Sequence, residues 1–465
     1  MKPTDSQDAL SSQERRAALS LSAIYATRML GLFMLLPVLV LYAEELPGST
    51  PLLIGLAIGI YGLTQALLQI PFGIASDRLG RKRVIVFGLL LFAAGSVVAA
   101  MAETITGIIL GRALQGSGAV AAAVMALAAD LTREDQRARA MAFIGASIGM
   151  AFSAAMVLGP LLDRLIGVAG IFWFTAVLAL AAIAVVLFWT PTPPTERRHA
   201  DAAPVPGRFG LVLRHPELLR LDAGIFILHM VLTASFVAIP LLLRDHGGLA
   251  TAHHAWVYLG VMLAAMATMV PFVVIGEKRR RLKPVLLGAI VLLAAGELLL
   301  GLTPASLPVI ILLLWLFFAA FNVLEAIMPS LVAKISPPQA KGTAMGVYTS
   351  AQFFGAFIGG AGGGWLYGQY GVSGVFLFCA LMLLLWLAIA APMARPRHLS
   401  PYPVSLDGLD GDGIHWLQER IEGHAGVAEV VLDLDEQTLW LRVDRQQADT
   451  DAIQRLAQQA REQSK

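Results

Sequence analysis

Two stretches decide the fold: Gln69-Ile-Pro71-Phe72-Gly73-Ile-Ala-Ser-Asp77-Arg78-Leu-Gly80-Arg81 and Met269-Val-Pro271-Phe272-Val-Val-Ile-Gly-Glu277-Lys278-Arg-Arg-Arg281. Each closes an apolar run. Each sets Pro-Phe five residues ahead of an acid-base pair, with a further base at Arg81 or Arg281, and the register repeats at an offset of 200. A second echo follows basic loops at an offset of 204, as Ala140-Met141 and Ala344-Met345. Weak internal symmetry on this scale means a chain built from two large parallel copies.

Outward from these stretches, the composition is that of a membrane protein. Hydrophobic residues make up 57% and charged residues 14%, against about 45–50% and 25% in soluble domains, and the mean hydropathy is +0.71. Twelve runs reach the roughly 20 apolar residues that span a bilayer: 19–43, 52–75, 84–102, 105–129, 141–163, 168–190, 220–243, 254–276, 284–302, 308–333, 342–366 and 373–394. The loops alternate between Lys/Arg-rich and nearly Lys/Arg-free, the poor set holding only Arg164 and Arg244. By the positive-inside rule both termini are cytoplasmic. Residues 1–18 read as a cytoplasmic N-terminal segment, 19–190 and 220–394 as two six-helix halves, and the Pro- and Arg-rich 191–219 as the cytoplasmic linker between them. The first run is too long for a signal-peptide core and reads as a retained span. Cys379 is the only cysteine, which excludes an intrachain disulfide and a cysteine metal site.

Residues 395–465 differ in kind. From residue 398 on they carry 13 acidic and 6 basic side chains, and their alternating runs Val427–Leu434 and Thr438–Val443 predict two strands joined by a turn at Asp435-Glu436-Gln437. Helical periodicity over Ile414–Gly423 and Thr450–Glu462, with an earlier strand near Tyr402–Leu406, gives the order βαββα. The expected fold class is an all-α membrane body with a small, soluble, cytoplasmic α+β domain of ferredoxin-like type.

Charged side chains inside spans are costly and mark function by default. Four are placed well inside: Arg28, Arg112, His229 and Glu325, on the first helix of each three-helix unit. A lone intramembrane histidine is more often a packing residue than a proton carrier, whereas Glu325 reads as the carrier. Glu297, on the ninth span, reads as bland. Between spans 2 and 3, Gly80 can supply a positive φ for a tight turn, and Asp77 is an acceptor suited to a helix N-terminus. Arg78, Lys82 and Arg83 suit topology anchoring equally well, but topology demands neither the acid Asp77 nor the spacing to Arg81.

That loop, Gly73-x-x-x-Asp77-Arg78-x-Gly80-Arg81-Lys82, matches the major facilitator signature G-x-x-x-D-(R/K)-x-G-(R/K)-(R/K) at every defined position. Arg112 with Gln115-Gly116 resembles a second motif of the superfamily, and Gly159-Pro160 a reduced form of its antiporter motif. Together with Arg28-Met-Leu-Gly-Leu-Phe-Met-Leu-Leu-Pro37, Lys341-Gly-Thr-Ala-Met-Gly346 and the added C-terminal domain, the chain resembles the YajR-type drug:proton antiporters over its whole length. The resemblance implies the major facilitator fold with a midplane site between the halves. It further implies that Asp77 caps the eleventh helix, that Arg81 pairs with Asp130, and that Arg112 and Glu325 serve proton coupling. It departs from the pattern in the weakened motif on helix 5 and in Arg28, where many relatives place an acid.

The expectation is therefore a proton-driven exporter in a bacterial inner membrane, working by alternating access, with an amphipathic or cationic small molecule as substrate, protons as the coupling ion, membrane lipid as surroundings and no cofactor beyond the proton gradient. The rivals are a proton-coupled uptake symporter for a sugar or organic acid, and a transporter-like sensor with the C-terminal domain as its output. Few clustered polar side chains line the predicted cavity helices, which disfavours a sugar. No nucleophile and base pair points to an enzyme, and an acidic tail excludes nucleic acid. The C-terminal domain is expected to hold a partner or a second copy of the chain.

Overall fold

A computed structural model describes residues 10–192, 209–302, 306–337, 340–394, 400–433, 438–444 and 448–463. Most of the predicted linker (193–208) and the predicted turn at 435–437 lie outside them. The described residues fall into two compact units, divided after Ala394.

The larger unit is helical throughout. Its elements are α1 (Ser12–Phe33), α2 (Leu39–Glu44), α3 (Pro51–Leu79), α4 (Arg81–Ala100), α5 (Ile105–Ser117), α6 (Ala121–Asp130), α7 (Glu134–Ala184), α8 (Phe209–Leu213), α9 (Pro216–Leu241), α10 (His254–Lys278), α11 (Leu282–Leu302), α12 (Leu307–Ile335) and α13 (Lys341–Ala390). Among the described residues nine helices are long and apolar enough to cross a membrane. α7 and α13 run 51 and 50 residues, and each holds one residue off helical geometry: Gly167 (φ 70°) and Gly371 (φ 66°). Only glycine enters that region freely, and these glycines fall between predicted spans 5 and 6 and between spans 11 and 12.

Two predicted spans are interrupted where an unbroken helix was expected. Residues 34–38 separate α1 from α2 around Pro37, whose ring removes a backbone donor. Residues 118–120 separate α5 from α6, at the point where Gly118 packs on the Gly88 carbonyl of α4 with no room for a side chain.

α9 is the most enclosed helix, with every residue from Ile227 to Leu243 buried; α13 and α12 pack on it. The two helical groups, α1–α7 and α9–α13, meet along α3 and α13. Gly55 lies against Gly360 and Gly364, and Gly59 and Gly62 against the backbone of Phe357 and Phe353. Any Cβ at these positions would collide with main chain, which is small-residue helix packing. The contact runs from the Pro51 end of α3 to its middle. At that same end Arg244 pairs with Glu44, Nη1 to Oε2 2.9 Å, tying one group to the other. Large apolar side chains such as Leu67, Phe87, Val177, Phe188 and Leu263 are exposed, the surface that lipid would cover.

The smaller unit is β1 (Ser400–Ser405), α14 (Gly411–Glu422), β2 (Val427–Asp433), β3 (Thr438–Val443) and α15 (Thr450–Gln463). Its three strands form an antiparallel sheet ordered β1-β3-β2. β3 is central because Leu439, Leu441 and Val443 alternate onto one face, where they are buried with Val404, Leu417, Ile421, Ile453 and Ala460. Asp410 caps α14 by accepting from the Gly413 amide at 2.8 Å.

Candidate functional site

Four intramembrane charges were singled out from the sequence, and they gather in two clusters. In the second helical group, His229 of α9 and Glu325 of α12 converge on Gln352 of α13. The Gln352 amide nitrogen lies 2.8 Å from His229 Nε2 and donates to Glu325 Oε1 at 3.4 Å. His229 Nε2 and Glu325 Oε2 are 3.9 Å apart. The two differ in access: the His229 side chain is 6% exposed and that of Glu325 33%, although Glu325 Oε2 is itself buried without a hydrogen bond among the described residues.

One turn of α13 before Gln352 stands Tyr348. Its hydroxyl is buried without a partner and lies within electrostatic reach of Glu325 and of Asp222 on α9. Asp222 is buried too, with Oδ2 unpartnered. The sequence reading passed over it, although it sits inside the predicted seventh span. Its spacing of seven residues from His229 is two helical turns, and therefore the same face, which was the available signal.

In the first helical group, Arg28 of α1 and Arg112 of α5 flank Tyr61 of α3, their guanidinium carbons 5.9 and 5.1 Å from its ring centroid. Arg112 is 1% exposed and satisfied: Nε donates to the Ala57 carbonyl (3.3 Å), Nη1 to Gln115 Oε1 (3.1 Å) and Nη2 to the Ile58 carbonyl (3.4 Å). Gln115 in turn donates to Ser96 of α4 at 2.7 Å. Arg28 donates through Nη2 to Gln65, whose own amide is oriented by donating to Gln69 at 2.7 Å. Tyr61, which the two arginines flank, meets Phe353 of α13, the residue after Gln352, with ring centroids 6.2 Å apart, and this brings the two clusters near one another. Gln65, Gln69 and Gln352 were not foreseen, since nothing in a glutamine's local sequence says which charge another helix will present to it.

Glu297 proves more interesting than a bland surface acid. It is wholly buried, accepting from Ser235 Oγ of α9 at 2.8 Å, with Cys379 Sγ 3.7 Å beyond that hydroxyl. It binds α11 to α9 and α13, away from both clusters.

At the end of α3 remote from Pro51, the loop motif forms a knot. Gly80 takes φ 97°, which turns the chain directly from α3 into α4. Arg81 pairs with Asp77, donates to Ser76 Oγ at 2.7 Å and reaches Asp130 Oδ2 at the end of α6 at 3.1 Å. Lys82 donates to the Thr190 carbonyl at 2.5 Å, Gly73 is buried, and Arg78 is exposed. Ala340 occupies the N-cap position of α13, and Asp77, expected to cap that helix, pairs with Arg81 one helical turn away.

The sequence matches the Major Facilitator Superfamily over residues 21–284 and again over 221–411. The chain belongs to that superfamily. It is a transport protein rather than an enzyme, and its apolar helices make it a multi-pass membrane protein. It is 44% identical over 447 residues to the inner membrane transport protein YajR of Escherichia coli K12, covering 96% of this chain and 98% of the relative. More distantly, it is 28% identical to the multidrug resistance protein MdtH of Klebsiella pneumoniae strain 342, across 73% of this chain and 83% of that one. Among solved structures, a bacterial homolog of the human lysosomal transporter Spinster, inward-facing and occupied, superposes with a TM-score of 0.69 at 14% identity, over 83% of this chain and 98% of its own. Within the superfamily, then, this chain pairs a cluster built on Arg28 and Arg112 with one built on His229, Glu325 and Gln352.

Proposed function

We propose that the chain is a proton-coupled secondary transporter that exchanges protons for a small amphipathic molecule by alternating access. One observation carries the reading: Glu325, its side chain a third exposed amid packed helices, is held by Gln352 beside His229, and the next residue of α13, Phe353, meets the Tyr61 ring that Arg28 adjoins. A carboxylate so placed can hold either a proton or a cationic part of a ligand. A machine that exchanges the two needs that mutual exclusion, because coupling requires differential binding between states. The likeness to YajR and MdtH supports an inner membrane location and outward drug transport.

Splitting α7 at Gly167 and α13 at Gly371, counting α1 with α2 and α5 with α6, and leaving out the short α8 gives twelve spans in two halves, 19–190 and 220–394, joined by a cytoplasmic linker. In that orientation the Pro51 end of α3 is the outer end. The glycine contacts with α13 and the Arg244–Glu44 pair then support a conformation closed to the outside. The βαββα unit beyond residue 395 is taken as a ferredoxin-like cytoplasmic domain that holds a partner or a second copy.

The test is a panel of amphipathic cations, neutral compounds and zwitterions added to inverted vesicles that carry a preset pH gradient. Collapse of the gradient by some members supports exchange. A gradient untouched by every member, with correctly inserted protein, removes the exchange reading and leaves the sensor.

A further inference from the structure

Arg28 is a charge without an answer. It is 2% exposed, and among the described residues its one hydrogen bond is from Nη2 to Gln65, with Nε and Nη1 left without a partner. Arg112 supplies the contrast, equally buried but with all three nitrogens bonded. A guanidinium stays charged at any working pH, and a buried charge without a counter-ion is strongly unfavourable. The surroundings lower that cost only in part, through the rings of Tyr61 and Phe92, each 5.9 Å from the Arg28 guanidinium carbon. The Tyr61 hydroxyl, also buried, is unpartnered as well. Two guanidinium nitrogens and the hydroxyl of an adjoining tyrosine are thus buried without hydrogen-bond partners beside the rings of Tyr61 and Phe92, and Tyr61 in turn meets Phe353 of α13, the neighbour of Gln352, with ring centroids 6.2 Å apart. What fits is an oxyanion carried on an apolar or aromatic body.

We infer that Arg28 is an anion subsite, and that the molecule transported carries an acidic group which docks there while its basic part lies towards Glu325. The substrate class is then an amphipathic zwitterion rather than a simple cation. This rests on the region between the clusters being the transport cavity. It also keeps exchange intact: the basic part still competes with the proton at Glu325, and the acidic part supplies the counter-ion that Arg28 lacks.

Rhodamine 110, with a free carboxyl group, and rhodamine 123, its methyl ester, differ only in that charge and make the test direct. Fluorescence anisotropy is read on the full chain in phosphatidylcholine nanodiscs. The wild type should bind rhodamine 110 about tenfold more tightly than the ester, the scale of one charge-assisted contact. Arg28→Gln should erase the preference while changing rhodamine 123 affinity less than about threefold, and Arg28→Lys, which keeps the charge, should restore it in part; a thermal melt shows that both variants are folded. Equal affinities in the wild type, no binding of rhodamine 110, or a preference that survives Arg28→Gln overturns the inference. So does loss of rhodamine 110 binding when phosphatidylglycerol is included, which would make a lipid phosphate the occupant. The two readings fail separately. A preference that depends on Arg28, without proton movement, leaves the subsite and removes exchange; proton movement with both dyes and no preference does the reverse.

Discussion

The two helical groups share one repeated sequence pattern, yet they carry opposite chemistry. α1–α7 present Arg28 and Arg112, which are permanent cations; α9–α13 present His229 and Glu325, which can change charge. The same inversion appears in the loops 200 residues apart. In the first, Arg81 is a cation gripped by the acids Asp77 and Asp130. In the second, Glu277 is an acid gripped by Lys334 (2.5 Å) and by Ser330 Oγ (2.7 Å). On the proposed reading one group is a fixed electrostatic floor and the other the switch above it, so that a proton would alter the charge between them without disturbing the helices that hold it.

The strongest attempt to break the contrast is Glu325→Gln, which makes the switch as fixed as the floor. Substrate-dependent proton flux in liposomes should fall to background, with insertion unchanged. Flux near the wild-type value would transfer the switch to His229 or Asp222. The loops come next. The Arg81–Asp130 pair is well buried, its side chains 10% and 4% exposed, whereas Lys334 and Glu277 are 30% and 37% exposed. Partly desolvated pairs can bias a conformational equilibrium by about 1–3 kcal/mol, and exposed ones by about 0–1 kcal/mol. Asp130→Asn should thus change the labelling rate of a cavity cysteine at least about fivefold, and Glu277→Gln by less. Equal effects would mean that burial does not rank the two latches.

Much of this was legible in advance for a physical reason. Apolar length, loop charge and a repeated motif are local properties, so the spans, the Gly80 turn and the strands of the smaller unit could be read along the chain. The missing parts are tertiary. Gln352 matters because α13 carries it between α9 and α12, and Glu297 because Ser235 arrives from another helix. Asp222 was open to reading from its spacing, two helical turns before His229.

A smaller effect probes the floor itself. Glu14, at the start of α1, is held by Arg133 Nε at 3.0 Å and the Arg133 amide at 2.9 Å, and it closes a capping box with Ser11. Burial alone would raise its carboxyl, but the bonds to Arg133 and Ser11 prevail and lower it from 4.5 to about 2. Because the folded value lies below the unfolded one, the stabilisation is full above pH 4.5 and is lost as pH falls from there towards 2. Glu14→Gln should lower the melting temperature in detergent on the order of 2 °C at pH 7. The difference from wild type should shrink below pH 4.5. A difference that stays constant down to pH 3 would mean that packing, not charge, is what the variant removes.

The least effect is expected where the two groups meet through ions alone. Arg244 and Glu44 face each other across the groups, 37% and 31% exposed, and Arg244 also holds its neighbour Asp245 at 2.6 Å. Removing Glu44 therefore leaves the arginine paired, so no orphaned charge adds to the loss. The glycine seam between α3 and α13, which needs no charge, keeps the same end closed. Glu44→Gln should raise labelling of a cavity cysteine from the Pro51 end by less than about fivefold, the limit for an exposed pair. Salt at about 1 M contracts the screening length to roughly 3 Å, and wild type and variant should then label alike. A Gly59→Ala variant, in contrast, thrusts a methyl group into the Phe357 backbone and should open that end far more. If Glu44→Gln opened it as widely, the ion pair rather than the seam would be the outer gate, and the second group's part in closure would be as electrostatic as its part in coupling.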